Sequence, residues 1–264
     1  MYAFSYHRAT TVADAKKAFS SANDAKFLAG GQTLLPTMKA RLASPSDLID
    51  LMHVQGFAGI SVDTLAVTIG AGTTHATVHQ SKDVSAAIPA LSALAGGIGD
   101  PAVRHRGTIG GSLANNDPAA DYPAAALGLG ATIKTDNREI RADDFFTGMF
   151  STALEEGEII TAVMFPRPKR AAYMKFPNPA SRYALTGVFV AETAHGPRVA
   201  VTGAGSCVFR VTAMEQALAK SFKADAIAAI KVPAAGLNTD LHATAEYRAH
   251  LITVMAKRAV ALID

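Results

Sequence analysis

The sequence is poor in cysteine and lacks tryptophan. Its 264 residues include one cysteine, Cys207, so no internal disulfide can form. One thiol also cannot hold an iron–sulfur cluster, which needs about four thiolates. We expect Cys207 to be a small buried residue. Any iron–sulfur cluster that works with this chain must lie on a partner.

Long apolar runs are also missing. A transmembrane helix needs roughly 18 consecutive apolar residues. The best candidate, residues 86–103, is interrupted by Pro89, Asp100 and Pro101. Residues 1–19 lack the apolar stretch and small-residue cleavage site of a signal peptide. We therefore expect an intracellular, cytoplasmic protein.

Charge of one sign is not concentrated in any segment. The 25 lysines and arginines are scattered among 22 acidic residues, which gives a net charge of +3. This pattern argues against a basic tract for nucleic acid or anionic lipid. Hydrophobic residues make up 49% of the chain, so a large core can form. The length favours about two domains.

The order of short apolar runs predicts two α/β lobes. In the first lobe, about residues 1–55, strands are expected near 4–7, 26–29 and 48–51, with Thr11 and Thr33 capping the intervening helices. In the second, about residues 56–166, we expect strands at 65–69 and 131–134 and helices at 74–82 and 87–95.

The segment 166–170 contains two prolines and three basic residues, which is typical of a linker or domain boundary. Beyond it, strands are expected at 182–192 and 198–203, followed by helices at 212–219, 224–230 and 241–262. The sequence thus predicts domains at 1–166 and 167–264, the second of them α+β.

Two glycine pairs are the strongest local motifs. One is Ala29-Gly30-Gly31-Gln32-Thr33, and the other is Thr108-Ile109-Gly110-Gly111-Ser112. We expect each pair to form a turn between a strand-like approach and a helix start, where backbone amides can point outward. Two such turns could bind the two halves of a pyrophosphate. A single glycine pair, by contrast, is more often a simple chain reversal.

Other nucleotide and metal motifs do not fit. Gly97, Gly99 and Ala102 have the spacing of a dinucleotide fingerprint, but they follow a helix-like segment and enclose Pro101. P-loop, nucleophile-elbow and zinc spacings are missing. His75 and His79 are four residues apart without a third ligand nearby, so we expect them on the surface. No catalytic or metal-binding residue is predicted.

Acidic residues follow the second glycine pair. Asp117-Pro118 is typical of a helix start, with the carboxylate as cap and the proline in the first turn. Asp121 comes about one turn later and could accept a hydrogen bond from a ligand hydroxyl or ring N–H. A solvated surface carboxylate is the alternative for Asp121.

The two motifs together resemble a known family. Residues 29–39 and 108–121 are similar to the FAD-binding medium subunit of molybdenum hydroxylases, a group that includes carbon monoxide dehydrogenase and xanthine dehydrogenase. The resemblance implies an α+β fold. A two-lobed FAD-binding domain of the vanillyl alcohol oxidase-like (PCMH) type would be followed by a smaller α+β C-terminal domain.

The resemblance also implies a set of cofactor-binding residues. Those on one side of the FAD pyrophosphate and ribityl region would be Ala29, Gly30, Gly31, Gln32, Thr33 and Leu34. Those on the other side would be Thr108, Gly110, Gly111, Ser112 and Ala114. Asp121 matches an acidic FAD contact, Ile160 an apolar backbone contact, Lys175 a lysine near the flavin and Tyr183 an aromatic residue over the isoalloxazine.

Some of these residues have plain structural alternatives. Lys175 could be a solvated strand lysine, and Tyr183 could be a core residue. Arg182 stands where relatives often have an acidic residue. This departure could change which oxidant approaches the flavin, or it could reflect a shifted alignment beside Pro177 and Pro179. The basic residues 104–106 could attract phosphate or form a solvated loop.

The implied function is electron transfer within a complex. FAD on this chain would receive electrons from two-iron two-sulfur clusters of a small partner subunit, after a large partner with the molybdenum cofactor oxidises the substrate. The complex would be a heterotrimer or its dimer, with an external acceptor of unknown identity. Two alternatives stay open: a self-contained FAD oxidase of the same fold, and a non-enzymatic nucleotide-binding module.

Overall fold

The computed structural model describes residues 1–263. In this range the strands are β1 (Ser5–Arg8), β2 (Ala25–Leu28), β3 (Asp47–Asp50), β4 (Ile60–Val62), β5 (Ala66–Gly70), β6 (Thr132–Thr135), β7 (Glu139–Arg141), β8 (Phe146–Gly148), β9 (Ser151–Thr152), β10 (Ile160–Pro166), β11 (Arg170–Pro177), β12 (Ala184–Thr193), β13 (Gly196–Thr202) and β14 (Phe209–Arg210). The helices are α1 (Val12–Ser21), α2 (Leu34–Lys39), α3 (His75–Gln80), α4 (Lys82–Ala87), α5 (Pro89–Gly96), α6 (Pro101–Arg106), α7 (Ile109–Asn115), α8 (Tyr122–Leu129), α9 (Ala142–Phe145), α10 (Thr212–Lys220), α11 (Ala224–Ile227) and α12 (Ala245–Ile263).

The N-terminal part is a small parallel sheet with the strand order β1-β3-β2. Helix α1 begins where the sequence predicts it. The Thr11 hydroxyl accepts a hydrogen bond from the Asp14 amide at 3.0 Å, and the Asp14 carboxylate accepts one from the Thr11 amide at 3.1 Å. This reciprocal cap satisfies two amides that a helix start would otherwise leave unpaired.

The middle part contains a five-stranded antiparallel sheet with the order β4-β5-β10-β6-β7 and a small β8-β9 hairpin. Helix α8 is buried on every side, which suits its composition of Ala, Leu, Gly, Pro and one Tyr. It contacts both β12 and β13 of the next sheet. The middle and C-terminal parts therefore pack against each other through this helix.

The C-terminal part is the antiparallel sheet β11-β12-β13-β14 with helices α10 and α12 packed against it. Side chains of β12 alternate between two hydrophobic cores. Phe189 and Ala191 belong to the core of the first two lobes, whereas Val188 and Val190 belong to the C-terminal core. This period of two is expected for a strand covered on both faces.

Several element bounds differ from the sequence-based expectation. The helix expected at 74–82 is two helices, because Ser81 has an extended backbone and its hydroxyl accepts a hydrogen bond from the Val84 amide. The last helix begins at residue 245 instead of 241. Only residues 224–227 of the stretch 224–230 are helical. Cys207 is half-buried, not fully enclosed.

The segment between β10 and β11 is short and tied to the sheets on both sides. The Arg167 amide donates to the Leu65 carbonyl at 2.8 Å, and the Lys169 amide donates to the Glu192 carbonyl at 2.8 Å. The division at residues 166 and 167 stays a proposal, and the last residue of the expected second domain lies outside the described residues. Among residues 1–263, none of the helices combines the length and apolar character that a membrane crossing requires.

Candidate functional site

A cleft of about 680 Å³ runs between the first two lobes and reaches the turn before β12. This volume is typical of small-molecule and cofactor sites. The structure brings almost all of the residues expected at the site to this cleft. Those in its lining are Ala29, Gly30, Gly31, Gln32, Thr33, Leu34, Thr108, Gly110, Gly111, Ser112, Ala114, Asp121, Ile160 and Tyr183.

One wall is the turn between β2 and α2. Within residues 1–263, no acceptor receives a hydrogen bond from the backbone amides of residues 30–34. Gly31 has a φ of +71°, a conformation that favours glycine. Gly30 packs so tightly that a Cβ there would lie 2.1 Å from the Arg106 carbonyl oxygen. The turn is therefore a run of unpartnered donors at the N-terminus of α2, which suits an anionic group.

Thr33 does not cap α2 as expected. Its backbone has φ −108° and ψ −52°, and its side chain makes no capping hydrogen bond. A capping side chain requires an extended backbone at that position. The hydroxyl of Thr33 is thus not used within the helix, and the residue remains part of the cleft lining.

The opposite wall is the start of α7, where one expectation is wrong. Gly110 and Gly111 do not form a turn after a strand; they lie in the first turn of a helix that follows α6. The Gly110 amide donates to the Ala71 carbonyl at 2.9 Å, and the Gly111 amide donates to the Thr108 hydroxyl at 3.1 Å. These amides are therefore engaged inside the protein.

The neighbouring amides of this helix start are engaged as well. Ile109 donates to the Thr73 carbonyl at 3.1 Å, and Ser112 donates to the Thr108 carbonyl at 3.0 Å. Glycine is needed at position 110 for a steric reason, because a Cβ there would lie 2.6 Å from the Ala71 side chain. This wall therefore bounds the cleft with the Thr108 and Ser112 residues. It does not offer a second set of unpartnered amides.

Asp121 is held at the cleft by two donors from β11. Its side chain is 4% exposed. It accepts a hydrogen bond from the Tyr173 hydroxyl at 2.5 Å, and the Lys175 ammonium lies 3.0 Å from it. Burial raises the pKa of Asp121, while Lys175 and Tyr173 oppose that rise. The solvated alternative for Asp121 is thus wrong.

Lys175 reaches Asp121 without lining the cleft itself. Its side chain is 11% exposed and also donates to the Gly97 carbonyl at 2.9 Å, so it is not a solvated strand lysine. Tyr173 was missed by the sequence reasoning. The sequence does contain a clue to Tyr173. It lies two residues before Lys175, and residues two apart in a strand share one face, here of β11. A Cβ at Gly187 would lie 2.3 Å from the Tyr173 hydroxyl, so glycine leaves room for it.

Asp117 does not start a helix. Its carboxylate accepts a hydrogen bond from the Ala119 amide at 2.8 Å in a tight turn, and α8 begins only at Tyr122. The Pro118 carbonyl accepts hydrogen bonds from the Thr202 hydroxyl and from the Gly203 amide of the C-terminal part. These long-range partners, which a local motif cannot reveal, hold the segment outside a helix.

His75 lines the cleft and is buried, contrary to the surface position expected from the sequence. Its ring centroid lies 5.3 Å from that of Tyr122, and its Nδ1 atom has no hydrogen-bond partner in the described chain. Burial, aided by Arg104, lowers the pKa of His75 to about 4. His79 contacts the Ser92 carbonyl at 3.0 Å. The structure shows no group of three potential metal ligands over residues 1–263.

The mouth of the cleft is a turn at residues 178–183. The Asn178 side-chain oxygen accepts hydrogen bonds from the Ala180 and Ser181 amides, and Arg182 has a φ of +62°. Strand β12 therefore begins at Ala184 instead of residue 182. Tyr183 lies half-exposed in this mouth, so it is not a core residue.

Two further polar groups near the cleft serve the fold. One terminal nitrogen of the Arg104 guanidinium donates to the carbonyls of Ile98 and Gly99 at 2.9 and 3.0 Å, which ties this side chain to the turn before α6. Next to Ile160, the buried Glu158 carboxylate contacts the Arg138 guanidinium at 2.9 Å. Hydrogen bonding from Arg138 lowers the pKa of Glu158 to about 2. This ion pair fixes the start of β10.

Comparison with known proteins identifies the family. The profile described as "FAD binding domain in molybdopterin dehydrogenase" matches residues 2–168. The chain belongs to this family. FAD is thus its cofactor, and the chain is an oxidoreductase subunit, as the resemblance implies.

Full-length relatives support the same assignment. The chain is 35% identical to the nicotine 6-hydroxylase medium subunit of Paenarthrobacter nicotinovorans, over 98% of this chain and 96% of the relative. It is also 35% identical to the carbon monoxide dehydrogenase medium chain of Afipia carboxidovorans, over 97% and 95%. The chain is thus a medium subunit of the molybdenum hydroxylase family.

The fold of this medium subunit matches a solved relative. The structure of reconstituted carbon monoxide dehydrogenase from Oligotropha carboxidovorans superposes with a TM-score of 0.90 at 32% identity, covering 98% of this chain and 97% of that one. The predicted α+β fold with a PCMH-type FAD-binding domain is confirmed.

The residues present fit FAD. The unpartnered amides of residues 30–34 match an acceptor as rich in oxygen as a diphosphate. Leu28, Leu51 and Phe57 add an apolar lining that suits a flat ring system.

Proposed function

We propose that this medium subunit transfers electrons within a molybdenum hydroxylase complex. A small subunit with two-iron two-sulfur clusters would deliver electrons after a large subunit with the molybdenum cofactor has oxidised the substrate. An external acceptor would then collect them. The complex is proposed to be a heterotrimer or its dimer, and the cytoplasmic location stays a prediction. Full-length similarity to subunits named medium chains supports this role.

The observation that carries the proposal is the turn at residues 30–34. Its amides lack acceptors among the described residues, and the residues that carry these amides line the cleft. When bound, FAD supplies the ability to take up electrons singly and release them as a pair. The residues of this chain bind and orient the cofactor. No nucleophile or acid–base pair is required from them.

The two walls have different proposed tasks. Residues 29–34 would donate backbone hydrogen bonds to the diphosphate. Thr108, Ser112 and Ala114 would set the width of the cleft from the other side, with Gly110 and Gly111 allowing close packing. Asp121, kept in place by Tyr173 and Lys175, would accept a hydrogen bond from the cofactor.

The contacts at the mouth complete the proposed site. Ile160 would contact the cofactor through its backbone, and Lys175 would act through Asp121. Tyr183 would lie over the isoalloxazine, a task for which its flat amphipathic ring is suited. Arg182 departs from the family pattern and has a positive φ of +62° directly before Tyr183.

Hydrogen–deuterium exchange with and without FAD tests this proposal. We expect FAD to slow exchange at the amides of residues 30–34 by at least about tenfold, because each would gain an acceptor. The amides of residues 109–112 already have acceptors and should change far less. The visible spectrum of the purified protein would show whether FAD is held. Equal slowing in both segments, or none in the first, would contradict the proposed binding mode.

A further inference from the structure

The first lobe is joined to the rest of the chain by very few polar contacts. In the described part of the chain, its three strands pair only with one another. Over the same range, every hydrogen bond between residues 1–55 and 58–263 is donated by the Lys16 ammonium of α1. The acceptors are the Asp136 carboxylate at 2.5 Å and the Asn137 side-chain oxygen at 3.2 Å, both in the turn between β6 and β7. Outside the connecting segment, one side chain therefore makes the polar contact between the lobes.

This contact is an ion pair with one buried partner. The Asp136 side chain is 6% exposed, whereas that of Lys16 is 41% exposed. The other oxygen of Asp136 accepts a hydrogen bond from the Ile159 amide at 2.8 Å, and Ile159 lines the cleft. Within residues 1–263, no other cation pairs with Asp136. Separation of the lobes would thus leave this carboxylate without its counter-charge.

An apolar contact lies beside the ion pair. Phe19 comes three residues after Lys16 and is therefore on the same side of α1. A Cβ at Gly157 would lie 3.1 Å from the Phe19 ring, so this ring packs against the backbone of the second lobe. Phe19 also stacks on Phe27, a residue of the cleft lining, with ring centroids 4.8 Å apart. The contact between α1 and the second lobe thus adjoins the cleft.

The segment that connects the two lobes has a single residue between the parts bonded to each lobe. The Gln55 amide donates to the Thr10 carbonyl of the first lobe at 3.0 Å, and the Phe57 carbonyl accepts from the Gly72 amide of the second lobe at 2.8 Å. Gly56, between them, has a φ of +70°, and a Cβ there would meet no atom within 4 Å. A glycine in open space between two anchored neighbours has the properties of a hinge.

The packing around this glycine is mainly apolar. Leu51, Val54 and Phe57 are buried in the core that the two lobes share. The Phe57 amide also donates to the Val54 carbonyl at 3.2 Å, across Gly56. Groups close to a turning point move little, so a small rotation of the first lobe can keep these contacts while Lys16 separates from Asp136.

We propose that residues 1–55 turn about Gly56 as a lid over FAD, and that Lys16 holds this lid shut and thereby sets the rate of cofactor exchange. The inference rests on the proposed function, because it requires FAD in the cleft between the lobes. The first lobe also touches the second where Gly30 packs against the Arg106 carbonyl. A cofactor between the lobes would be bounded by both contacts, so its passage requires the first lobe to move.

Lys16 is a positioning residue in this arrangement and acts through Asp136. The ion pair forms without FAD, and neither of its residues belongs to the cleft lining. We therefore expect the pair to be equally strong with and without the cofactor. A contact of equal strength in both states changes the rates of entry and release together and leaves the dissociation constant unaltered.

Stopped-flow kinetics of FAD exchange on the purified complex tests the proposal. Association is followed by flavin fluorescence after the FAD-depleted complex is mixed with FAD, and dissociation by displacement with excess 5-deaza-FAD. We expect Lys16→Met to raise both rate constants by about three- to tenfold, while the Kd for FAD changes by less than about twofold. Lys16→Arg keeps the charge and should leave both rate constants close to those of the wild type.

Lys17→Met is the matched control. Lys17 is the exposed neighbour of Lys16, and its ammonium makes no hydrogen bond or ion pair with any described residue, so both rate constants should stay unchanged. Asp136→Asn tests the same contact from the second lobe, since an amide oxygen can still accept from the Ile159 amide. This variant should repeat the effect of Lys16→Met, and the double variant should add little to either.

The pattern of rate constants separates a latch from a residue that only supports the site. Unchanged rate constants in Lys16→Met and Asp136→Asn would overturn the inference. A rise in the dissociation rate alone, with a matching rise in Kd, would overturn it as well. A wild-type complex that does not take up FAD would instead refute the proposed function, so the two failures are distinguishable.

Discussion

The two glycine pairs of this protein look alike in sequence and differ in structure. Around Gly31 the chain turns with a positive φ, and the amides of residues 30–34 have no acceptor among the described residues. Around Gly111 the chain is helical, and each amide from residue 109 to 112 has a partner inside the protein. The first pair offers hydrogen bonds, whereas the second permits close packing. Similar motifs on two walls of one cleft therefore have different physical tasks.

The largest expected effect comes from Gly30→Ala. Its Cβ would lie 2.1 Å from the backbone oxygen of Arg106, which cannot move aside as a flexible side chain could. The turn would have to shift, and we expect the Kd for FAD to rise by at least about 100-fold. The measurement is a fluorescence titration with FAD. Gly148→Ala is the matched control, because its nearest contact would be an ordinary 3.9 Å. If Gly30→Ala bound FAD with the affinity of the wild type, residues 30–34 would not be part of the FAD site.

The second largest expected effect is the pH dependence of the free energy of unfolding that arises from His75 in the cleft lining. Burial lowers the pKa of His75 from 6.5 to about 4. Between these pH values His75 holds up to one proton more in the unfolded chain than in the folded chain. The free energy of unfolding should therefore fall as the pH drops through this window, by on the order of 3 kcal/mol.

Urea unfolding of the FAD-free protein from pH 7.5 to 4 measures this loss. Other groups titrate in the same range, so the relevant quantity is the difference between the wild type and His75→Gln, which lacks the ionisable ring. The variant should lose less stability across the window. Identical pH dependence of the two proteins would contradict a buried neutral histidine at this wall.

The smallest expected effect is the difference in the free energy of unfolding between variants of Thr108 and Thr33, one threonine from each wall. Thr108→Val removes the hydroxyl that accepts the Gly111 amide and should lower the free energy of unfolding by about 1 to 2 kcal/mol. Thr33→Val removes no capping bond and should stay within about 0.5 kcal/mol of wild type. Denaturant unfolding of both FAD-free variants gives these values. If Thr33→Val lowered the free energy of unfolding more than Thr108→Val, the proposed difference between the two walls would be wrong.

The sequence was sufficient to locate the site because its elements are local. The Thr11 cap and the short strands depend on neighbouring residues and form close to where the sequence predicts them. The fold that the family resemblance implies is confirmed. The lining of the cleft was also anticipated, since residues 29–34 and 108–114 lie within single turns or helices.

Long-range partners explain what the sequence could not show. The amides of Gly110 and Ile109 are engaged by carbonyls of Ala71 and Thr73, nearly forty positions earlier, and no local pattern encodes this pairing. The burial of His75 depends on its packing beside Tyr122. The hydrogen bond from Tyr173 to Asp121 joins residues that are far apart in sequence, so it depends on how β11 packs against the segment before α8.

The support of Asp121 by β11 limits how this chain can be recombined with its relatives. The matched FAD-binding segment ends at residue 168, yet the donors to its buried carboxylate are Tyr173 and Lys175, and the clearance for the phenol comes from Gly187. A chimera joined near residue 168 to a foreign C-terminal half without these side chains would leave a buried charge uncompensated, at a cost of about 3 to 5 kcal/mol. We therefore expect a chimera to keep Asp121 buried and paired only if its C-terminal half supplies residues equivalent to Tyr173 and Lys175.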